Sequence, residues 1–158
     1  MSGTSIDESK SIPETLRERE QWVCWREAER DGKPTKIPVT PGGGGFASST
    51  EAQTWASFEA ALDYTETEHA DGVGFVFTDD DPIVGVDLDD CRDPGTGYHV
   101  LIRGELPDGR NRRGSIELYD TARFFTVTGD HVERTPTRVA RRQDALRAIH
   151  REYVGHRA

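Results

Sequence analysis

Two short apolar runs joined by an acidic turn constrain this chain most: GVGFVF at residues 72–77 and IVGV at residues 83–86, with TDDDP between them. Each run is too short for a buried helix and rich in β-branched or aromatic residues, and turn formers bound it. Each therefore reads as a buried strand. The second run passes without a break into Asp87-Leu88-Asp89-Asp90. Residues two apart in a strand share a face, about 7 Å apart, so Asp87 and Asp89 project together while Leu88 turns to the core. Paired carboxylates repel unless a cation neutralises them, and hard oxygen ligands suit Mg²⁺ or Mn²⁺. Taken alone, these residues are equally compatible with a solvated acidic turn at a strand end.

The rest of the chain supplies more strands than helices. Ser11, Pro13 and Glu14 open a short helix to about residue 19. QWVCWRE at residues 21–27 reads as a strand, with Trp22, Cys24 and Arg26 on one face and Val23 and Trp25 on the other. Asp31-Gly32 is a hairpin signal, residues 35–40 return as a strand, and Gly42 to Gly45 form a flexible loop. Trp55, Phe58 and Leu62 at helical spacing, with Thr54 as cap, predict a helix over residues 55–67. Further strands are expected at residues 98–106, 115–119 and 124–128. Val139, Leu146, Ile149 and Tyr153 predict an amphipathic helix over residues 137–153. The fold class is α+β: a single domain, residues 11–153, with a mainly antiparallel or mixed sheet and flanking helices. Residues 1–10 form a disordered tail and residues 154–158 a C-terminal tail. Trp22, Trp25, Trp55, Phe58, Phe75 and Phe77 are expected in the core, since no basic residues interleave with them to make a base-stacking platform.

Composition removes several functions. No apolar run approaches the length of a membrane span. No basic-then-apolar leader opens the chain, so a cytoplasmic protein is expected. Cys24 and Cys91 lie far apart with no second pair, which argues against a metal-cysteine site or a disulfide framework. The net charge of −9 disfavours a nucleic-acid-coating protein, yet residues 131–158 carry +4 and the first 130 carry −13. Arg138, Arg141, Arg142 and Arg151 give the predicted C-terminal helix a cationic side, the candidate nucleic-acid contact. Only three lysines occur. An acidic, lysine-poor surface suits a halophilic cytosol, where salt screens surface charge within a few ångströms.

His99 follows Gly95-Thr96-Gly97, whose backbone amides suit close approach to a phosphate, and it opens a strand that returns beside Asp87. Glu117 alternates with apolar Ile116 and Leu118, making it a third candidate acid. The ordered set of DxD, G-x-G-x-H, an acidic strand and FFTVTG at residues 124–129 resembles the bifunctional DNA primase/polymerase N-terminal domain. That is the phage- and plasmid-type primase-polymerase of the archaeo-eukaryotic primase superfamily. QWVCW at residues 21–25, KPTKIP at residues 33–38, ASST at residues 47–50 and GVGFVF also match that family's N-terminal half.

The resemblance implies that Asp87, Asp89 and Glu117 ligate Mg²⁺ or Mn²⁺ and that His99 contacts the triphosphate, these four forming the catalytic set. Lys36, Arg112 and Arg113 are candidate phosphate contacts on charge and position. Nucleoside triphosphates, single-stranded or primed DNA and a replicative helicase are the implied partners, in DNA replication and of mobile-element origin. One departure matters. Relatives carry a helix and a strand between the DxD and the histidine, where this chain has only Cys91-Arg92-Asp93-Pro94 before Gly95. Removing that pair preserves the direction of the histidine strand, so a hairpin is expected there. Weak or no synthesis by the chain alone is expected too. The alternative function is a catalytically decayed nucleotide- or single-stranded-DNA-binding module.

Overall fold

A two-residue turn organises the N-terminal half. In the computed structural model, which describes residues 12–43, 45–67, 70–88, 98–107, 109, 111–127 and 139–154, Asp31 and Gly32 take φ values of 53° and 77°. Positive φ at both central residues makes the tight turn whose twist suits a hairpin. Strand β1 (Trp22–Arg30) accordingly pairs antiparallel with β2 (Lys33–Val39), from Arg30↔Lys33 to Cys24↔Val39. β1 also pairs with β3 (Gly72–Phe77), over Trp22 to Trp25. The sheet order is β2-β1-β3-β8, with β8 spanning Arg123–Val127.

Helices α1 (Glu14–Arg17) and α2 (Phe58–Glu66) supply the apolar cover. Trp22 is fully buried and meets Phe58 and Phe75 edge-to-face at 4.9 and 5.4 Å. Its indole N–H donates to the Leu16 carbonyl at 2.9 Å. Trp25, Phe58, Phe75 and Phe77 are buried as expected, whereas Trp55 is half-buried. Helix α2 begins three residues later than the spacing predicts. Ser57, not Thr54, caps it by accepting from the Ala60 N–H at 3.2 Å. The Thr54 hydroxyl instead bonds the Glu51 and Ser48 carbonyls, and residues Ala52–Thr54 form a 3₁₀ turn. Trp25 presses so closely on Gly72 that a Cβ there would lie 2.6 Å from the indole nitrogen.

Cys24 is buried beneath α2, its thiol directed at the Ala61 carbonyl and the Thr65 hydroxyl. Burial pushes the thiol up to about 11, with the Thr65 hydrogen bond acting against the shift. The stability gained from this neutral thiol is complete below its ordinary value of 9.0 and is lost as pH climbs through about 11. Because the thiolate is the nucleophile, Cys24 is expected to resist iodoacetamide at pH 8 in the native protein and to react in urea. Peptide mapping by mass spectrometry checks this, and rapid native labelling of Cys24 contradicts it.

The second sheet has the order β6-β7-β4-β5-β9, comprising β4 (Ile83–Leu88), β5 (Tyr98–Arg103), β6 (Arg112–Arg113), β7 (Ile116–Tyr119) and β9 (Ala140–Arg141). β4 pairs antiparallel with β5 from Ile83↔Arg103 to Leu88↔Tyr98, the hairpin expected from the sequence. Its connection, residues 89–97, lies outside the described residues, as does Asp89. Val84, Val86, Ile102, Leu118, Leu146 and Val154 form the core of this sheet, with Leu88 and Ile116 packed against it.

The C-terminal helix corrects the sequence reading. Helix α3 covers only Gln143–Ile149 and runs into a π-turn over His150–Val154. Ala140 and Arg141 pair in parallel with Ile102 and Arg103, and Arg142 is the residue before the helix. An open sheet edge offers backbone hydrogen bonds that local helical propensity does not outweigh. Arg141 and Arg142 therefore do not lie on a helix, and Arg138 falls outside the described residues. The π-turn also shifts the buried stripe by one residue, so Val154 is buried and Tyr153 exposed.

The chain is one α+β domain with mainly antiparallel sheets, gathered into two compact units. One comprises Met1–Val76 with Phe124–Arg138, the other Phe77–Arg123 with Val139–Ala158. No described helix is long and apolar enough to cross a membrane.

Candidate active site

Alternation along β4 and β7 decides which side chains meet. Val84, Val86 and Leu88 on β4, with Leu118 and Ile116 on β7, point into the core cluster. Asp87 and Glu117, at the intervening positions, therefore lie on the opposite face. Antiparallel register then aligns them: Asp87 pairs with His99 on one side and Glu117 on the other, and Glu117 pairs with Arg112. Four neighbouring strands thus carry one row, Arg112–Glu117–Asp87–His99. Directly opposed residues have Cβ atoms about 4.5–5.5 Å apart.

The row is charged in a definite order, with two acids in the middle and a basic side chain at each end. His99 Nε2 lies 3.5 Å from Asp87 Oδ1, and an Arg112 guanidinium nitrogen lies 4.0 Å from Glu117 Oε2. The acids are mostly shielded, with side-chain exposures of 19% for Asp87 and 18% for Glu117. The Tyr119 hydroxyl donates to Glu117 Oε1. Burial pushes that phenol up to about 12, assisted by its bond to Glu117 and opposed by Arg123 and Arg112. Tyr119 therefore stays a donor at neutral pH. The Arg123 guanidinium lies 4.8 Å over its ring.

Tyr119 and Arg123 were not singled out by sequence reasoning. The available signal was the spacing of two that places Tyr119 on the face of Glu117. Arg113 pairs with Ile116, whose row faces the core, so it points away from the row that holds Arg112. Lys36 belongs to the other compact unit, where its ammonium lies 5.0 Å from the Trp25 ring and its strand position opposes Glu27. Among the described residues no group of three His, Cys, Asp or Glu is arranged to hold a metal ion, and Asp89 is not among them.

The row brings together on three strands Asp87, Glu117 and His99 of the ordered motif set, while Asp89 lies outside the described residues. A DNA primase-polymerase of Nitratiruptor phage NrS-1 is 33% identical to this chain over 141 residues, 70% of this chain and 19% of the phage protein. The chain belongs to the primase-polymerase family. Because 141 positions exceed 70% of 158 residues, the phage primase-polymerase carries residues within the matched stretch that this chain lacks. The chain spans about a fifth of that relative's length. No family model matches the chain.

Proposed function

We propose that the Arg112–Glu117–Asp87–His99 row is the nucleotide site of a primase-polymerase, working in DNA replication by metal-dependent nucleotidyl transfer onto single-stranded or primed DNA. The observation that carries this reading is the shared register of Asp87, Glu117 and His99. Two shielded carboxylates side by side, with the Arg112 guanidinium and the His99 imidazole at the outer ends, form a donor set that fits a hard divalent ion. Asp87 and Glu117, joined by Asp89, would hold Mg²⁺ or Mn²⁺. When bound, such an ion would neutralise triphosphate charge and favour attack by a nucleic-acid hydroxyl. His99 and Arg112 flank the acids and contact phosphate oxygens, while Tyr119 orients Glu117 through its hydroxyl.

A second reading, a nucleotide- or single-stranded-DNA-binding module without turnover, has its own support. Both carboxylate oxygens of Glu117 already face partners, Tyr119 on one and Arg112 on the other. Calorimetry with Mn²⁺ and a nucleoside triphosphate tests both readings, because each ligand should tighten the other. Absence of that coupling overturns the site. Primer extension on a primed template then separates the readings. Binding is expected to survive better than turnover, since catalysis requires ligands placed within about half an ångström and the connection from Asp90 to Gly97 is short.

A further inference from the structure

Past Trp25, β1 leaves β3 and continues with β2 alone, as a two-stranded ribbon ending at the Asp31-Gly32 turn. The register sorts its side chains by face. One face carries Arg26, Ala28 and Arg30 from β1 with Lys33, Thr35 and Ile37 from β2. The other carries Glu27 and Glu29 with Pro34 and Lys36. On that second face Glu27 stands opposite Lys36, an attractive pair. On the first, Arg30 stands opposite Lys33, and like charges in direct register destabilise a hairpin. Arg26, Arg30 and Lys33 are all exposed. The strand residues of this face thus hold three cations and no acid, on a chain whose net charge is −9.

We propose that the cationic face of this ribbon docks on the sugar-phosphate backbone of duplex DNA. A polyanion relieves the Arg30–Lys33 repulsion and complements the three exposed cations of this face. Duplex is favoured over single strand because the face carries no aromatic side chain on which bases could stack. Phosphate neutralisation remains, and duplex DNA presents one charge per about 1.7 Å of axis. A two-stranded ribbon also fits a major groove about 12 Å wide. Arg26 and Arg30 lie about 13 Å apart along β1, so they reach separate phosphates. The surface needs neither metal nor nucleotide and does not depend on the active-site reading.

The test is fluorescence anisotropy of a labelled duplex of arbitrary sequence, in EDTA, between 50 and 200 mM salt. Replacing Arg30 and Lys33 together by Gln is expected to flatten the slope of log K against log salt by about 1.8. Replacing Glu27 and Glu29 by Gln on the opposite face is expected to leave that slope unchanged. Circular dichroism verifies folding, and the single Lys33→Gln change, with half the effect, serves if the double variant does not fold. An unchanged slope in the cation variants, an equal change from the acidic face, or tighter binding of single strand than duplex overturns the proposal. Because EDTA excludes the metal, failure here is distinct from failure of metal-coupled nucleotide binding.

Discussion

Asp87→Asn is expected to weaken joint binding of Mn²⁺ and a nucleoside triphosphate by at least about 100-fold, because even partners one step removed from a metal cost about 10–100-fold when lost. The substitution keeps the shape of the side chain and removes its charge, and Asp87 stands at the centre of the row, beside both Glu117 and His99. The fold should be unaffected, since Asp87 lies on the face opposite the core of its sheet. Calorimetry of the parent and variant is the measurement, and equal affinities would remove the metal from this row. Register adds a sharper contrast. Arg112→Gln is expected to weaken triphosphate binding, while Arg113→Gln, one residue away but on the other face, should leave it within about twofold. Equal losses from the two arginines would mean that register does not select the phosphate contact.

Trp22→Ala is expected to cost about 3–5 kcal/mol, the usual range for truncating a buried aromatic. Trp22 is fully buried, meets two aromatic rings edge-to-face and gives its indole N–H to the Leu16 carbonyl. Small domains are stable by only about 5–15 kcal/mol, so this one change is expected to remove a large share of the margin and bring the urea midpoint down sharply. Trp55→Ala should cost much less, because Trp55 is half-buried and lies outside α2. Urea denaturation followed by circular dichroism ranks the two. A Trp55 loss equal to that of Trp22 would displace the proposed centre of the aromatic core.

How much of this was legible in the sequence follows from the range of the interactions involved. Strand alternation is local, so the β3 run, the β4 run and the Asp31-Gly32 turn could be read from neighbouring residues alone. The same alternation turned Asp87 and Glu117 away from the core, and the motif order named both acids with His99. Where two local signals competed, the reading failed. Thr54 looked like a cap, but its hydroxyl was taken by the Ser48 and Glu51 carbonyls, leaving Ser57 to start α2. Val139 shared helical spacing with Leu146, Ile149 and Tyr153, but a sheet edge offered Ala140 and Arg141 of β9 their backbone partners.

The sequence by itself determined the α+β class, the apolar strands and the identity of the candidate acids, histidine and arginines of the proposed site. Only the tertiary structure decided that Arg112, Glu117, Asp87 and His99 stand in one row, that Arg113 turns away and that Tyr119 bonds Glu117. Local pattern sets which face of a strand a side chain takes. Register between strands distant in sequence sets which side chains meet, and a slip of one residue would have sent every member of a strand to the opposite face.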